Sequence, residues 1–305
     1  MQSKYLVICD QEEGYASAFA DYIMRKKELS FQVHTCSNIS YVLSLQKQRK
    51  IDYLFISAEY PEEMRRQAEA EKIFVLAGDK NARILENETM VYKYQSGDSL
   101  MGELIRQCNE KGETQGSFLK TVKKKQGRII GVYSPVHRIG KTTYALNMGE
   151  ELAVHSNVLY LSMETYGGVG EHFSEGGQTL SDVLYYAKQE KGNIGLTLTT
   201  LVRRRNHLDY VAPVQVSEDL KAVSKEEWSS LIHRIMEESI YEILILDLDD
   251  GVRNVYDVLE LCTEIHMPVT DDAVSLSKIR QFEEELTLLG KEALHRKIIR
   301  KEQKV

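Results

Sequence analysis

Short apolar runs alternate with amphipathic segments along the first 110 residues. Residues 5–9, 31–35, 52–57, 73–77 and 90–94 are compact and rich in β-branched, aromatic or leucine side chains, which reads as buried strands. Residues 14–26 place Tyr15, Phe19, Tyr22 and Ile23 at helical spacing. Residues 39–48 do the same with Val42, Leu43 and Leu45, 61–70 read as a polar helix, and 100–109 as a closing helix. The second half continues the alternation. Strands are expected at 128–133, 158–164, 208–212, 241–247 and 265–269, and helices at 144–153, 180–188, 225–239, 255–261 and 272–289. In 225–239, Trp228, Leu231, Ile232 and Ile235 form one apolar face. Strands that alternate with helices predict parallel sheets covered on both faces. The expected fold class is therefore α/β, with two doubly wound parallel-sheet domains at 1–110 and 128–305. The Gly/Gln/Thr/Lys-rich stretch 111–127, with Lys120, Lys123, Lys124 and Lys125, is expected to be a solvated tether rather than a nucleic-acid or lipid patch.

Composition narrows this picture. The chain has 305 residues, 28% of them charged and 42% hydrophobic, enough for two globular cores. A net charge of −7 gives no reason to expect a nucleic-acid partner. Cys9, Cys36, Cys108 and Cys262 show no C-x-x-C spacing, so they are expected to be small core residues in a reducing cytoplasm. The N-terminus lacks a signal-peptide pattern, and no apolar run nears the roughly 18 residues that cross a bilayer. Lys291, His295, Arg296, Lys297, Arg300 and Lys301 crowd the C-terminus around Leu294, Ile298 and Ile299. That segment is expected to be a helix packed on its own domain, with peripheral membrane contact as the alternative.

Candidate chemistry lies in Gly131-Val132-Tyr133-Ser134-Pro135-Val136-His137-Arg138-Ile139-Gly140-Lys141-Thr142-Thr143. An apolar strand leads through a loop into Gly-Lys-Thr-Thr and then a helix. Helix-start N–H groups can surround phosphates, Lys141 can reach β/γ oxygens, and the Thr142 hydroxyl can sit on Mg²⁺. The glycine expected six residues before Lys141 is Pro135. Two further strands end in acids, at Glu164 and at Asp247, and Gly251 follows at a spacing that suits approach to a γ-phosphate. Candidate nucleotide-binding residues are Arg138, Ile139, Gly140, Lys141, Thr142, Thr143 and Gly251, and Thr142 and Asp247 are the candidate Mg²⁺ ligands.

These residues resemble the ParA/MinD group of P-loop ATPases, whose loop reads Lys-Gly-Gly-x-Gly-Lys-Thr-Thr. The lysine that reaches across a dimer in that group matches Val136, and the two glycines match His137 and Arg138. The group's catalytic aspartate matches Glu164, its companion acid Ser162, and its Walker B acid Asp247. Pro268 falls where the group places a loop near the base, and 166–170 where it has its switch I region, so the resemblance makes Pro268 a further candidate nucleotide-binding residue and Glu164 the candidate catalytic residue. The resemblance implies ATP and Mg²⁺ as cofactors, with binding better supported than turnover, and at most a slow ATPase.

The first half resembles a response-regulator receiver domain. Its acidic pair matches Cys9-Asp10, and its phosphoacceptor aspartate falls on Ser57. The hydroxyl position is Ala77, and the lysine is kept as Lys93 with Tyr94 in place of proline. A receiver needs a carboxylate nucleophile and clustered acids around Mg²⁺. The resemblance therefore implies a pseudoreceiver with no phosphoacceptor. A pseudoreceiver followed by an atypical ParA/MinD-like domain resembles CpaE/TadZ-type proteins. That implies a cytoplasmic homodimer, polar or peripheral to the membrane, that helps place or assemble Flp/Tad-type pilus machinery with pilus or secretion proteins as partners. An active partitioning or division-site ATPase and a nucleotide-independent scaffold stay open.

Overall fold

The computed structural model describes residues 4–26, 29–79, 82–110, 127–189 and 193–303. Two compact units divide the chain, Met1–Thr121 and Val122–Val305. The expected tether at 111–127 lies outside the described residues except for Gly127.

The first unit runs β1 (Lys4–Cys9), α1 (Glu13–Arg25), β2 (Phe31–Cys36), α2 (Ile39–Leu45), β3 (Tyr53–Ser57), α3 (Glu62–Arg65), β4 (Lys72–Ala77), β5 (Glu88–Tyr92) and α4 (Gly97–Glu110). Its sheet has the order β2-β1-β3-β4-β5, with every neighbouring pair parallel. Side chains alternate across a strand, so each strand supplies both faces. Tyr5, Val7, Cys9, Leu54 and Ile56 pack with Ile39 and Val42 of α2. On the opposite parity, Phe55 meets Phe19 of α1 edge-on at 5.1 Å and stacks on Phe74 at 4.7 Å. The expected helix 61–70 shrinks to one turn. Arg65 leaves it to donate to Glu88 Oε2 at 2.5 Å and to the Tyr60 and Arg83 carbonyls, making a buried ion pair.

The second unit runs β6 (Arg128–Val132), α5 (Lys141–Ala153), β7 (Val158–Met163), α6 (Leu180–Lys188), α7 (Ile194–Leu201), β8 (Arg203–Arg205), β9 (Leu208–Val211), α8 (Ser217–Lys221), α9 (Lys225–Glu238), β10 (Ile243–Leu248), α10 (Val255–Leu261), β11 (Glu264–Val269) and α11 (Ala273–Leu288). A 3-10 turn, Glu292–Lys297, then leads into β12 (Ile298–Glu302). The sheet order is β12-β11-β6-β10-β7-β9-β8, parallel except for the antiparallel β8–β9 edge. The parity of β10 separates two cores. Leu244, Leu246 and Leu248 join α6, α7, α9, α10 and α11, whereas Ile243 and Ile245 join Ala145 and Leu146 of α5. Asp247 shares the parity of Ile243 and Ile245, so the fold turns it toward the α5 face.

The C-terminal basic segment is not the expected helix. It closes the sheet as an edge strand parallel to β11, with Ile298 packed on the core and Arg300 and Lys301 on the rim. Charged side chains on an edge strand discourage pairing with another chain. Among the described residues no helix is long and apolar enough to cross a membrane.

Candidate functional site

The loop from β6 to α5 begins with Ser134, whose hydroxyl donates to the Pro268 carbonyl at 2.8 Å and accepts from the Val136 N–H at 3.2 Å. Val136 is only 9% exposed and packs into the apolar core. Arg138 adopts φ = 57°, and Gly140 φ = 77°. The left-handed conformation costs a side-chain-bearing residue about 1–2 kcal/mol, and glycine almost nothing. Arg138, which falls on a glycine of the resembled loop, itself takes the backbone geometry that a glycine suits. α5 then starts at Gly140 with no side-chain cap, whereas α9 and α11 are capped by Ser224 and Asp272. The first-turn N–H groups of α5 therefore face the cleft without a side-chain acceptor.

Lys141, Asp247 and Glu164 come together at this helix start. Lys141 Nζ donates to Glu164 Oε1 at 2.6 Å, Asp247 Oδ1 at 3.0 Å and the Leu248 carbonyl at 2.6 Å. Thr142 Oγ1 donates to Glu164 Oε2 at 3.0 Å. Burial works against the Lys141 charge, but Asp247 and Glu164 outweigh it and raise the ammonium above its ordinary value. Asp247 is fully buried between the ends of β6 and β7, opposite Val132 and Ser162 in the ladders. Its second oxygen accepts from Tyr160 OH at 2.7 Å. Burial first, then Asp247, keep that phenol protonated far above its usual range. Ser162 is buried, with no hydrogen-bond partner for its hydroxyl among the described residues.

The run Leu246-Asp247-Leu248-Asp249-Asp250-Gly251 supplies groups that the sequence reading did not single out. Asp249 Oδ2 accepts from the Thr165 N–H at 2.9 Å and from its hydroxyl at 2.8 Å, and Asp249 Oδ1 from the Gly251 N–H at 2.7 Å. This clamp joins the segment after β7 to the segment after β10. A Cβ on Gly251 would collide with the Thr165 side chain, so the close approach requires glycine. Asp250 accepts from Tyr133 OH at 2.7 Å and lies 3.4 Å from His137 Nε2. Acids two and three places past the strand-end aspartate were the available signal.

These elements enclose a cleft of about 510 Å³ lined by Val136 to Thr143, Glu164, Thr165, Asp249, Asp250 and Gly251, together with Ser134 and His172. Of the nine candidate residues besides Glu164, seven line the cleft, namely Arg138, Ile139, Gly140, Lys141, Thr142, Thr143 and Gly251, and an eighth, Asp247, lies beneath it in contact with Lys141. Pro268 lies inside β11 rather than in a loop and is not among the lining residues, and its carbonyl serves Ser134.

In the first unit, Lys93 Nζ donates to Asp10 Oδ1 at 2.9 Å and Glu12 Oε1 at 2.8 Å. Burial opposes its charge, and Glu12 and Asp10 raise it well above the ordinary lysine value. Glu12 is thus a second acid at this end of the sheet, two residues beyond Asp10. Ser57 is buried, and its hydroxyl accepts from the Glu59 N–H at 3.3 Å. Asp10 Oδ2 has no hydrogen-bond partner among the described residues.

The second unit of this α/β chain thus presents a cleft at a strand–loop–helix junction, with the carboxylates of Glu164, Asp249 and Asp250 beside it. No protein-family model matches the chain, and no curated protein does. Among solved structures it is similar to a ParA family ATPase from Chlorobium tepidum TLS, with 21% identity and a TM-score of 0.49, over 57% of this chain and 73% of that one. A plasmid partition protein from Borrelia burgdorferi gives 14% and 0.44 over 58% and 78%. The septum site-determining protein MinD complexed with Mg-ADP from Pyrococcus horikoshii OT3 gives 17% and 0.42 over 54% and 66%.

Proposed function

We propose that the second unit binds a magnesium nucleoside triphosphate, ATP by the sequence resemblance, and turns it over slowly or not at all. The observation that carries this reading is the convergence of Lys141, Thr142, Asp247 and Glu164 at the uncapped start of α5. Phosphate oxygens would take the place of Glu164 on Lys141 and meet the helix-start N–H groups. The oxygens of Thr142 and Asp247 are hard donors that suit Mg²⁺, which would neutralise phosphate charge when bound. Glu164 is committed to Lys141 and Thr142, and Val136 is an apolar core residue. Both features favour binding over hydrolysis.

The wider reading is a cytoplasmic homodimeric factor of the CpaE/TadZ type that helps localise or assemble Flp/Tad-type pilus machinery. It is supported by the order of a receiver-like unit, lacking a phosphoacceptor, before a nucleotide-binding unit. Contact with pilus or secretion proteins, and any membrane contact, belong to this reading. Titrating ATP into the full-length chain with and without Mg²⁺, beside Thr142→Val, tests the site. Binding strengthened by Mg²⁺, with that increment lost in the variant, supports it. Mg²⁺-independent binding that is equal in both proteins contradicts it.

A further inference from the structure

We propose that Cys36 and Cys9 form a reversible dithiol–disulfide site, with Cys36 the thiol that a hydroperoxide oxidises and Cys9 the thiol that resolves it. This inference stands apart from the nucleotide reading and rests on the first unit alone.

The two residues are direct partners in the parallel ladder between β1 and β2. They also share a face: Cys9 belongs to the core beneath α2, and Cys36 packs against that core from its margin. Neighbouring strands lie roughly 4.8 Å apart. Disulfides join Cα atoms about 4.4–6.8 Å apart, so this pairing falls within reach without a change of register. The two thiols lie close enough to shift one another's acidity.

Their environments assign different roles. Cys9 is fully buried, while Cys36 is half-buried at the end of the edge strand β2. The Cys9 thiol holds Cys36 below the usual thiol range, the Asn38 N–H adds to this, and burial works against it. Cys36 pushes Cys9 upward, and burial adds to that. The thiolate is the form that attacks peroxides, so the half-buried, lowered thiol reacts first.

The Cys36 sulfur attacks the O–O bond of the hydroperoxide. That bond breaks, an S–O bond forms, and the leaving oxygen departs with a proton as alcohol, or as water when the oxidant is hydrogen peroxide. Cys9 sulfur then attacks Cys36 sulfur. The S–S bond forms as the S–O bond breaks, and hydroxide leaves with the Cys9 proton as water. Two thiols lose two electrons, and the O–O bond receives them. The new bond would sit next to Asp10, the partner of Lys93, and next to Ser37, whose carbonyl accepts from Tyr60 OH at 2.8 Å.

The test is thiol counting and non-reducing peptide mapping of the reduced full-length chain after exposure to a small molar excess of hydrogen peroxide. Two of the four cysteines should be lost and a Cys9–Cys36 cross-linked peptide should appear, with dithiothreitol restoring both thiols. In Cys9→Ala, Cys36 should stop at the sulfenic acid and be trapped by dimedone. The wild-type mapping stands even if that variant fails to fold. Cys36 remaining a free thiol in the wild type, or pairing instead with Cys108, Cys262 or a second copy of the chain, overturns the proposal.

Discussion

Replacing Glu164 by glutamine should tighten ATP binding, which is the opposite of what loss of a nucleotide ligand would do. Glu164 spans Lys141 at 2.6 Å and Thr142 at 3.0 Å, the two side chains that a phosphate would use. The ion pair is largely shielded, with side-chain exposures of 11% for Lys141 and 19% for Glu164, so solvent screens it weakly. A hydrogen bond to a charged group contributes about 1.5–3 kcal/mol, and a neutral one about 0.5–1.5. Glutamine therefore lowers the cost of freeing Lys141 by about 1–1.5 kcal/mol, or roughly five- to tenfold in Kd. Removal of a negative charge beside the phosphates acts in the same direction. Asp247 and the Leu248 carbonyl still hold Lys141 in place, so the variant should keep its fold. Calorimetry without Mg²⁺ isolates this competition from any metal contact by Glu164. An unchanged or weaker Kd for Glu164→Gln in that condition refutes the reasoning.

Arg138→Gly should raise the stability of the chain by about 1 kcal/mol, because φ = 57° suits glycine; a lowered midpoint in thermal melts would mean the Arg138 side chain makes a compensating contact. His266, buried beside Tyr144 OH at 2.7 Å, is held below the ordinary histidine value by burial first and then by Lys301 and Arg128, with Glu264 opposing. The unfolded chain then binds the extra proton more readily, so stability should fall as pH drops below about 6.5, and His266→Gln should flatten that part of the profile. Beryllofluoride with Mg²⁺ should leave the spectra of the first unit unchanged, because Ser57 offers no carboxylate and Lys93 is held by Asp10 and Glu12; a saturable Mg²⁺-dependent change would contradict this.

The parallel sheets and the strand–loop–helix segment were legible because buried strands and the Gly140-Lys141-Thr142 turn leave strong local patterns. The elements missed have conflicting ones. Helix α7 reads Ile-Gly-Leu-Thr-Leu-Thr-Thr-Leu, with apolar residues at alternate positions and helix-poor glycine and threonine. The Asn193 cap and packing against α6 and α9 override that propensity. Strand β12 carries three consecutive charges, and only its position beside β11 makes it a strand. Within the site, Lys141 and Asp247 were visible as a motif and a strand-end acid. Tyr160 and Asp249 were not, because their roles follow from strand parity and from a clamp between two loops far apart in sequence.

The central claim is that Lys141 anchors a nucleotide phosphate. Calorimetry of Mg-ATP binding to the full-length chain and to Lys141→Ala, with melting curves to confirm that both are folded, tests it most directly. A saturable, one-to-one isotherm for the wild type, with a loss of about 1.5–3 kcal/mol or more in the variant, is the predicted result. Equal affinity in the two folded proteins, or no saturable binding by the wild type, would contradict it.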